Sequence, residues 1–240
     1  MIRVMTYNVH RCLGLDGRVS PNRIAEIIAR YAPDVVALQE LDVHRDRTGN
    51  VHQAERIARL LEMRYHFHPS FIIEAEQYGN AVFSHFPLRK VKAGQLPGRA
   101  KLEPRSALWV EIACQTPPLH LINTHLGLRP RERLEQVQRL LGTNWLDHPD
   151  CRVPLVLCGD FNARPRSKVY RHVTLRLHDV VQASAAPIFA RTWMGLLRLD
   201  YIFISPDIQV NHVFVPRTTL TRRASDHLPV VTDLVVNNPC

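Results

Sequence analysis

Acids, amides and imidazoles recur at the ends of apolar runs in this chain. The stretch VPLVLCGDFNARPRS, Val153 to Ser167, passes from a buried-type strand straight into Gly159, Asp160, Phe161 and Asn162, with Arg164 and Arg166 behind them. Gly, Asp and Asn also end strands for purely conformational reasons, so one such junction says little. The pattern repeats, however. IRVMTYN ends at Asn8, VVALQE at Glu40, and LHLINTH at Asn123 and His125. RLDYIFIS opens with Asp200, and RRASDHLPVV sets Asp226 and His227 directly before a strand. Ligand sites in open α/β sheets form at strand ends. Carboxylates and amides are hard oxygen ligands suited to Mg²⁺, and imidazoles transfer protons near neutral pH. No cysteine pair has zinc-site spacing. The set is equipped for a hard divalent cation and for acid–base chemistry.

Alternating strand and helix patterns must position these groups. MIRVMTYNVH reads as a first strand, and SPNRIAEIIARYAPD as a helix with Ser20 as N-cap, Pro21 at its first position and Ile24, Ile27, Ile28 and Tyr31 at helical spacing. PDVVALQE is a short buried strand that stops at Gln39 and Glu40, and a second helix covers about 50–62. Strand-like runs follow at about 65–73, 79–84, 88–94, 106–113 and 118–124. PRERLEQVQRLL is an amphipathic helix opening at Pro130, with Leu134, Val137 and Leu141 on one side. A strand at 153–159, a short helix near 166–173 and strands near 200–205, 209–215 and 229–236 complete the order. Neither a repeat nor a Gly/Ser/Pro-rich linker interrupts it. The expectation is one α/β domain over residues 1–240, with two sheets and helices packed outside them.

Composition narrows the setting. The chain is 45% apolar and 22% charged, as expected of a globular protein, and no run approaches the apolar length of a membrane span or a secretory leader. Cys12, Cys114, Cys151, Cys158 and Cys240 are odd in number, and Cys114 and Cys158 fall inside apolar runs, which predicts reduced thiols and a cytoplasmic protein. The net charge is +9, and only Lys90, Lys92, Lys101 and Lys168 among 31 basic residues are lysines. Such an excess of arginine fits a polyanionic partner or a charge spread over a solvated surface.

Taken together, TYN, LQE, YGNAVFSHFPL, LEPRSALWV, NTHLG, GDFNARP, RLDYIF and SDHLP occur in an order that resembles the endonuclease/exonuclease/phosphatase superfamily. The resemblance spans essentially the whole chain. It implies the deoxyribonuclease I-like fold, a four-layer α/β sandwich of two mixed sheets flanked by helices. It also implies a Mg²⁺-dependent phosphoric ester hydrolase in which Mn²⁺ may replace Mg²⁺. Under it, Glu40 is the principal metal ligand, with Asn8 and Asp226 as direct or water-mediated partners. His227 is the catalytic histidine and Asp200 the carboxylate that orients it. Asp160 and Asn162 face the scissile phosphate and its attacking water, and His125 donates to phosphate oxygens. Whether His227 or Asp160 takes the water's proton stays open. Tyr78 and Asn80 support the network, Arg105 pairs with phosphate, braces Glu40 or is structural, and Trp193 lines the site or packs. The remaining histidines, His10 among them, match no motif.

The superfamily acts on nucleic acids, phospholipids and inositol phosphates. NTHLG stands where the abasic-site endonucleases carry a tyrosine motif, which disfavours that branch. Arg11, Arg45, Arg47, Arg129, Arg131, Arg164, Arg166, Arg222 and Arg223 lie near motif loops and favour a polynucleotide backbone. The leading expectation is therefore a phosphodiesterase of low sequence specificity acting on DNA, working as a monomer without an obligate protein partner. The alternative is a sphingomyelin-like or phosphoinositide lipid at an anionic membrane surface, into which Met194, Leu196 and Leu197 would dip. Under the leading reading, Leu196 and Leu197 serve folding.

Overall fold

The structure, a computed structural model, describes residues 1–236. One six-stranded sheet runs in the order β11 (Ile208–Phe214), β12 (Val230–Val236), β1 (Ile2–Asn8), β2 (Val35–Val43), β4 (Glu76–Ser84) and β3 (Arg64–Ile73). The other runs β5 (Leu88–Gln95), β6 (Ser106–Ile112), β7 (Leu119–His125), β8 (Leu155–Asp160), β10 (Asp200–Ile204) and β9 (His178–Asp179). Each sheet is mixed: β1–β2 and β7–β8 pair in parallel, and the other neighbours are antiparallel. Among the described residues six α-helices accompany them: α1 (Pro21–Tyr31), α2 (Gln53–Leu61), α3 (Pro130–Leu141), α4 (Lys168–Thr174), α5 (Val180–Ala183) and α6 (Thr219–Ala224).

Three apolar layers separate the four structural ones. Between the sheets lie Val4, Val35, Leu108, Leu121, Val156, Cys158 and Ile202. The first sheet packs Met5, Tyr7 and Leu38 against Ile24, Ile27 and Ile28 of α1 and Ile57 of α2. The second packs Trp109, Ile122, Leu157 and Phe203 against Val137 and Leu140 of α3 and Val169 of α4. This explains the unbroken apolar run of β8. Leu155 and Leu157 face the helices while Val156 and Cys158 face the other sheet, so both faces are buried. Each such side chain contributes about 1.5–3 kcal/mol by leaving water. The architecture is the expected α/β sandwich.

Local signals act as expected at α1, where the Ser20 hydroxyl accepts from the Arg23 N–H at 3.2 Å and Pro21 takes the first position. Three boundaries differ by three residues. β2 does not stop at Glu40 but continues to Val43, β4 begins at Glu76 rather than 79, and α2 begins at Gln53 rather than 50. The short β9, α5 and α6 have too few residues for a periodic signal and were not expected. Cys12, Cys114, Cys151 and Cys158 are free thiols, and Cys240 lies outside the described residues. No helix among the described residues is long and apolar enough to cross a membrane.

Candidate active site

Strand register assembles the site. In the second sheet His125 on β7 lies opposite Asp160 on β8, and Asp200 on β10 lies opposite Asp160 from the other side. These three groups thus form one row across three strands. Gly159 precedes the row at φ +135°, where a Cβ would run into the Thr124 carbonyl, so this junction requires glycine.

The first sheet contributes from a bulge. Leu38 and Leu41 both face α1 and α2, whereas Gln39 between them reaches across to Asn123 at 2.8 Å. The register slips between Leu38 and Leu41, and Glu40 occupies the extra position at φ +62°. Ordinary alternation would have sent Glu40 towards the helices; the bulge turns it to the site instead. A left-handed non-glycine residue costs about 1–3 kcal/mol and concentrates at functional positions. Asn123, at a strand end but away from the chemistry, joins the sheets by donating to the Leu38 and Ala81 carbonyls at 3.0 and 2.9 Å.

Asn8 lies between the two acids. Its Nδ2 donates to Glu40 Oε1 at 2.9 Å and to Asp160 Oδ2 at 3.0 Å, while its Oδ1 accepts from the His10 N–H. Asn8 thus turns its amide N–H groups to the carboxylates and braces them. Ligand atoms of Glu40, His125 and Asp160 lie within 4.8 Å of one another, as do those of Asp160, Asp200 and His227. Two converging carboxylates in a buried setting fit a hard divalent cation, which favours carboxylate oxygens and keeps several waters. Asp226 stands apart from both groups: it accepts from Trp193 Nε1 at 3.3 Å and lies 3.7 Å from His10 Nδ1.

Charge separates the two histidines. For His227, burial favours the neutral ring, but Asp200 at 2.8 Å from Nδ1 and Asp160 at 3.7 Å from Nε2 outweigh it and raise its pKa to about 10. Burial, then Asp200, pushes Asp160 up to about 7, with His227 pulling the other way. Burial holds His125 well below the usual histidine range, and Arg105 and His227 push it further down. Arg105 Nη1 lies 3.1 Å from His125 Nδ1 and can only donate, so the neutral ring carries its proton on Nε2. Nε2 lies 3.5 Å from Asp160 Oδ2 and 3.9 Å from Glu40 Oε1.

The rest of the expected set divides. Asn162 is at the site: its Nδ2 donates to the Leu126 carbonyl at 2.9 Å and lies 3.2 Å from His125 Nε2, and its N–H donates to Asp160 Oδ1 at 2.8 Å. Phe161 between them is buried against Tyr201 and Phe203. Tyr78 is buried, and burial with the charges of Glu40 and Glu103 keeps its hydroxyl protonated. Asn80 donates to the Ser106 carbonyl at 3.4 Å, so its support runs through β6. Arg105 pairs with Glu103 and His125 rather than with Glu40. Trp193 and exposed Arg164 share the lining of a hollow beside Asn162. Of the loop arginines, Arg45 and Arg47 are tied to Asp42, Arg131 to Glu135 and Arg223 to Asp16. Three residues at the site had no sequence signal: His10, Arg133 in the hollow beside Asn162, and Arg217 near Asp226. Each lies outside the motifs and arrives through tertiary folding alone.

Comparison with known proteins places this geometry. The sequence model of the Endonuclease/Exonuclease/phosphatase family matches residues 5–227, a span that contains every group above. The Escherichia coli (strain K12) protein YbhP is 24% identical over 250 residues, covering 97% of this chain and 95% of its own length. Among solved structures, an endonuclease/exonuclease/phosphatase from Beutenbergia cavernae DSM 12333 superposes with a TM-score of 0.78 at 27% identity, covering 98% of this chain and 72% of that one. The human Nocturnin catalytic domain superposes at 0.73 with 26% identity, covering 98% and 94%. The chain belongs to the endonuclease/exonuclease/phosphatase family, as a metal-dependent hydrolase of phosphoric esters.

Proposed function

We propose that the chain is a Mg²⁺- or Mn²⁺-dependent phosphodiesterase that cleaves nucleic acid, DNA foremost, with little sequence preference. The observation that carries the reaction class is the double use of Asp160, whose Oδ2 belongs both to the Glu40–His125 group and to the Asp200–His227 group. Glu40 and Asp160 would hold the cation. When bound, it neutralises charge on the phosphate and on the departing oxygen. Asp160, whose carboxylate also faces His227, accepts the proton of the attacking water. His227, held as a cation by Asp200, donates from Nε2 to a phosphate oxygen, and His125 and Asn162 beside it add donors to the same phosphate.

Glu40→Gln tests the metal assignment. It should weaken Mn²⁺ binding, read by calorimetry, by more than the 10–100-fold typical of losing a mere supporting partner. Folding should be little changed, because Glu40 is only half-buried. Hydrolysis of bis(p-nitrophenyl) phosphate should vanish with EDTA and return with Mg²⁺. Wild-type activity of Glu40→Gln at limiting metal would refute the assignment.

For nucleic acid, the support is the hollow beside Asn162, where Arg133 and Arg164 flank Trp193 without an acid in the lining. Guanidinium groups hold backbone phosphates without reading sequence, and an aromatic face accepts any base. One observation favours a lipid instead: Leu128 at this hollow, Leu15 and Met194 at the pocket beside Asp226, and Leu196 in the turn after Trp193 are 67%, 57%, 49% and 63% exposed. Leu196 therefore does not serve folding, as the sequence reading had it. Two variants separate these substrates. Arg164→Glu with Arg166→Glu should flatten the log-log salt dependence of DNA binding by about one to two units. Met194→Asp with Leu196→Asp should spare oligonucleotide cleavage and abolish hydrolysis of phospholipid vesicles if lipid is the substrate. Cleavage of vesicles but of no DNA or RNA would favour the second reading.

A further inference from the structure

Beside the catalytic row, on the Asp226 side, lies a pocket of about 440 Å³ lined by Arg217, Arg222, Met194, Ser225 and Asp226 among others. Its charge is unbalanced. The guanidinium of Arg217 stacks 4.3 Å from the Phe189 ring centroid, and Arg191 stacks 4.9 Å from the same ring, which brings these two cations together. Burial, then the charges of Arg222 and Arg191, all weigh against the charge on Arg217. The Nε of Arg217 is buried without a hydrogen-bond partner among the described residues. Asp226, the acid in the lining, is already engaged by Trp193 Nε1 and approached by His10. Arg217 and Arg222 in the lining, with Arg191 behind them at the Phe189 ring, outnumber the one acid and favour an anion, and planar donors of this kind match phosphate oxygens.

We propose that this pocket holds a second phosphate group of the substrate, next to the one that is hydrolysed. Asp226 in the lining directly precedes His227 in the chain, which brings a phosphate held there close enough to belong to the same bound molecule as the scissile ester. The substrate class is thus an ester with at least two phosphates, whether successive phosphates of a polynucleotide or a lipid headgroup carrying one more. The inference rests on the phosphodiesterase reading for its chemistry but not on which of these sources supplies the substrate.

The probes are methylenediphosphonate and inorganic phosphate, titrated calorimetrically into the Mg²⁺-loaded protein. The diphosphonate should bind at least about tenfold more tightly than phosphate. Arg191→Ala with Arg222→Ala should remove that advantage, as should Arg222→Glu alone at its exposed helical position. Arg217 is left intact because its Nη2 holds the Phe189 and Arg191 carbonyls at 3.1 and 2.6 Å. Equal affinity for both probes in the wild type overturns the proposal, and so does an advantage that survives in variants of unchanged Tm. The source is then read from two substrate pairs: the dinucleotide TpT with and without an added terminal phosphate, and vesicles of phosphatidylinositol with and without the 4-phosphate. The pair in which the second phosphate raises kcat/KM about tenfold names it, and no gain in either pair counts against the proposal. Failure of the phosphodiesterase reading shows separately, as no hydrolysis of bis(p-nitrophenyl) phosphate whatever the diphosphonate affinity.

Discussion

His227→Ala is expected to lower kcat by at least about 10²-fold, the usual scale for a lost proton donor or acceptor at the reacting group. Asp200→Asn should cost less, and the double variant should be little worse than His227→Ala, because a hydrogen-bonded pair acts as a unit. The 2.8 Å contact from Asp200 to His227 Nδ1 is the basis for that non-additivity. Additive losses would mean that the two residues work separately. The pH profile then tells which role His227 plays. If the protonated ring holds the phosphate, activity lasts until His227 loses its proton near pH 10. In Asp200→Asn burial gains the upper hand, the folded-state pKa falls, and the alkaline limb moves to lower pH. If the neutral ring were the base, the same substitution would instead extend activity towards acid. The Asp200 contact favours the first outcome, since it holds the His227 ring in its charged form.

The parts of this site that were legible in the sequence are those fixed by strand register. Asn8, His125, Asp160, Asp200 and His227 each sit at the end or start of a strong apolar run, and pairing of those runs brings them together almost without choice. Two sheets with helices outside them fit the same runs, whereas the four-layer order came from the family resemblance; the fold shows it in β1 and β8, which alternate between two apolar layers. Two kinds of feature were not legible. A bulge leaves no period-2 signature, so β2 looked finished at Glu40 when it only slips there. Long-range pairing also spends charges that look free in sequence. Arg45 is bound to Asp42 and Glu76, and Arg223 reaches Asp16 from the far end of the chain. The arginines that remain for a substrate are fewer than the net charge suggests, and one in the basic pocket, Arg217, lies in no motif at all.

Asp160→Asn should have effects of opposite sign on activity and on stability. The substitution is nearly isosteric, and one amide oxygen can still accept from the Asn162 N–H or from Asn8 Nδ2. On the proposed assignment, what disappears is the charge that converges with Glu40 on the metal and the oxygen that takes the proton of the water. Both losses fall on one step, so kcat should drop by at least about 10³-fold, more than for His227→Ala, and excess metal should not restore it. Stability runs the other way. A carboxyl raised from 3.8 to about 7 by burial and Asp200 is disfavoured in its charged form once the protein folds. Above the unfolded value that penalty grows with pH until the folded value is passed, reaching a few kcal/mol at about 1.4 kcal/mol per unit. The neutral amide removes it, offset in part by one lost hydrogen bond and by weaker pairing for His227. Without metal, Asp160→Asn should therefore melt at or above the wild-type Tm at pH 8, and the gap should close as pH falls towards 4. With saturating Mg²⁺ the order should reverse, because only the wild type gains from binding. A variant that melts well below wild type in EDTA would show that Asp160 holds the fold together, and its loss of activity would then say nothing about catalysis.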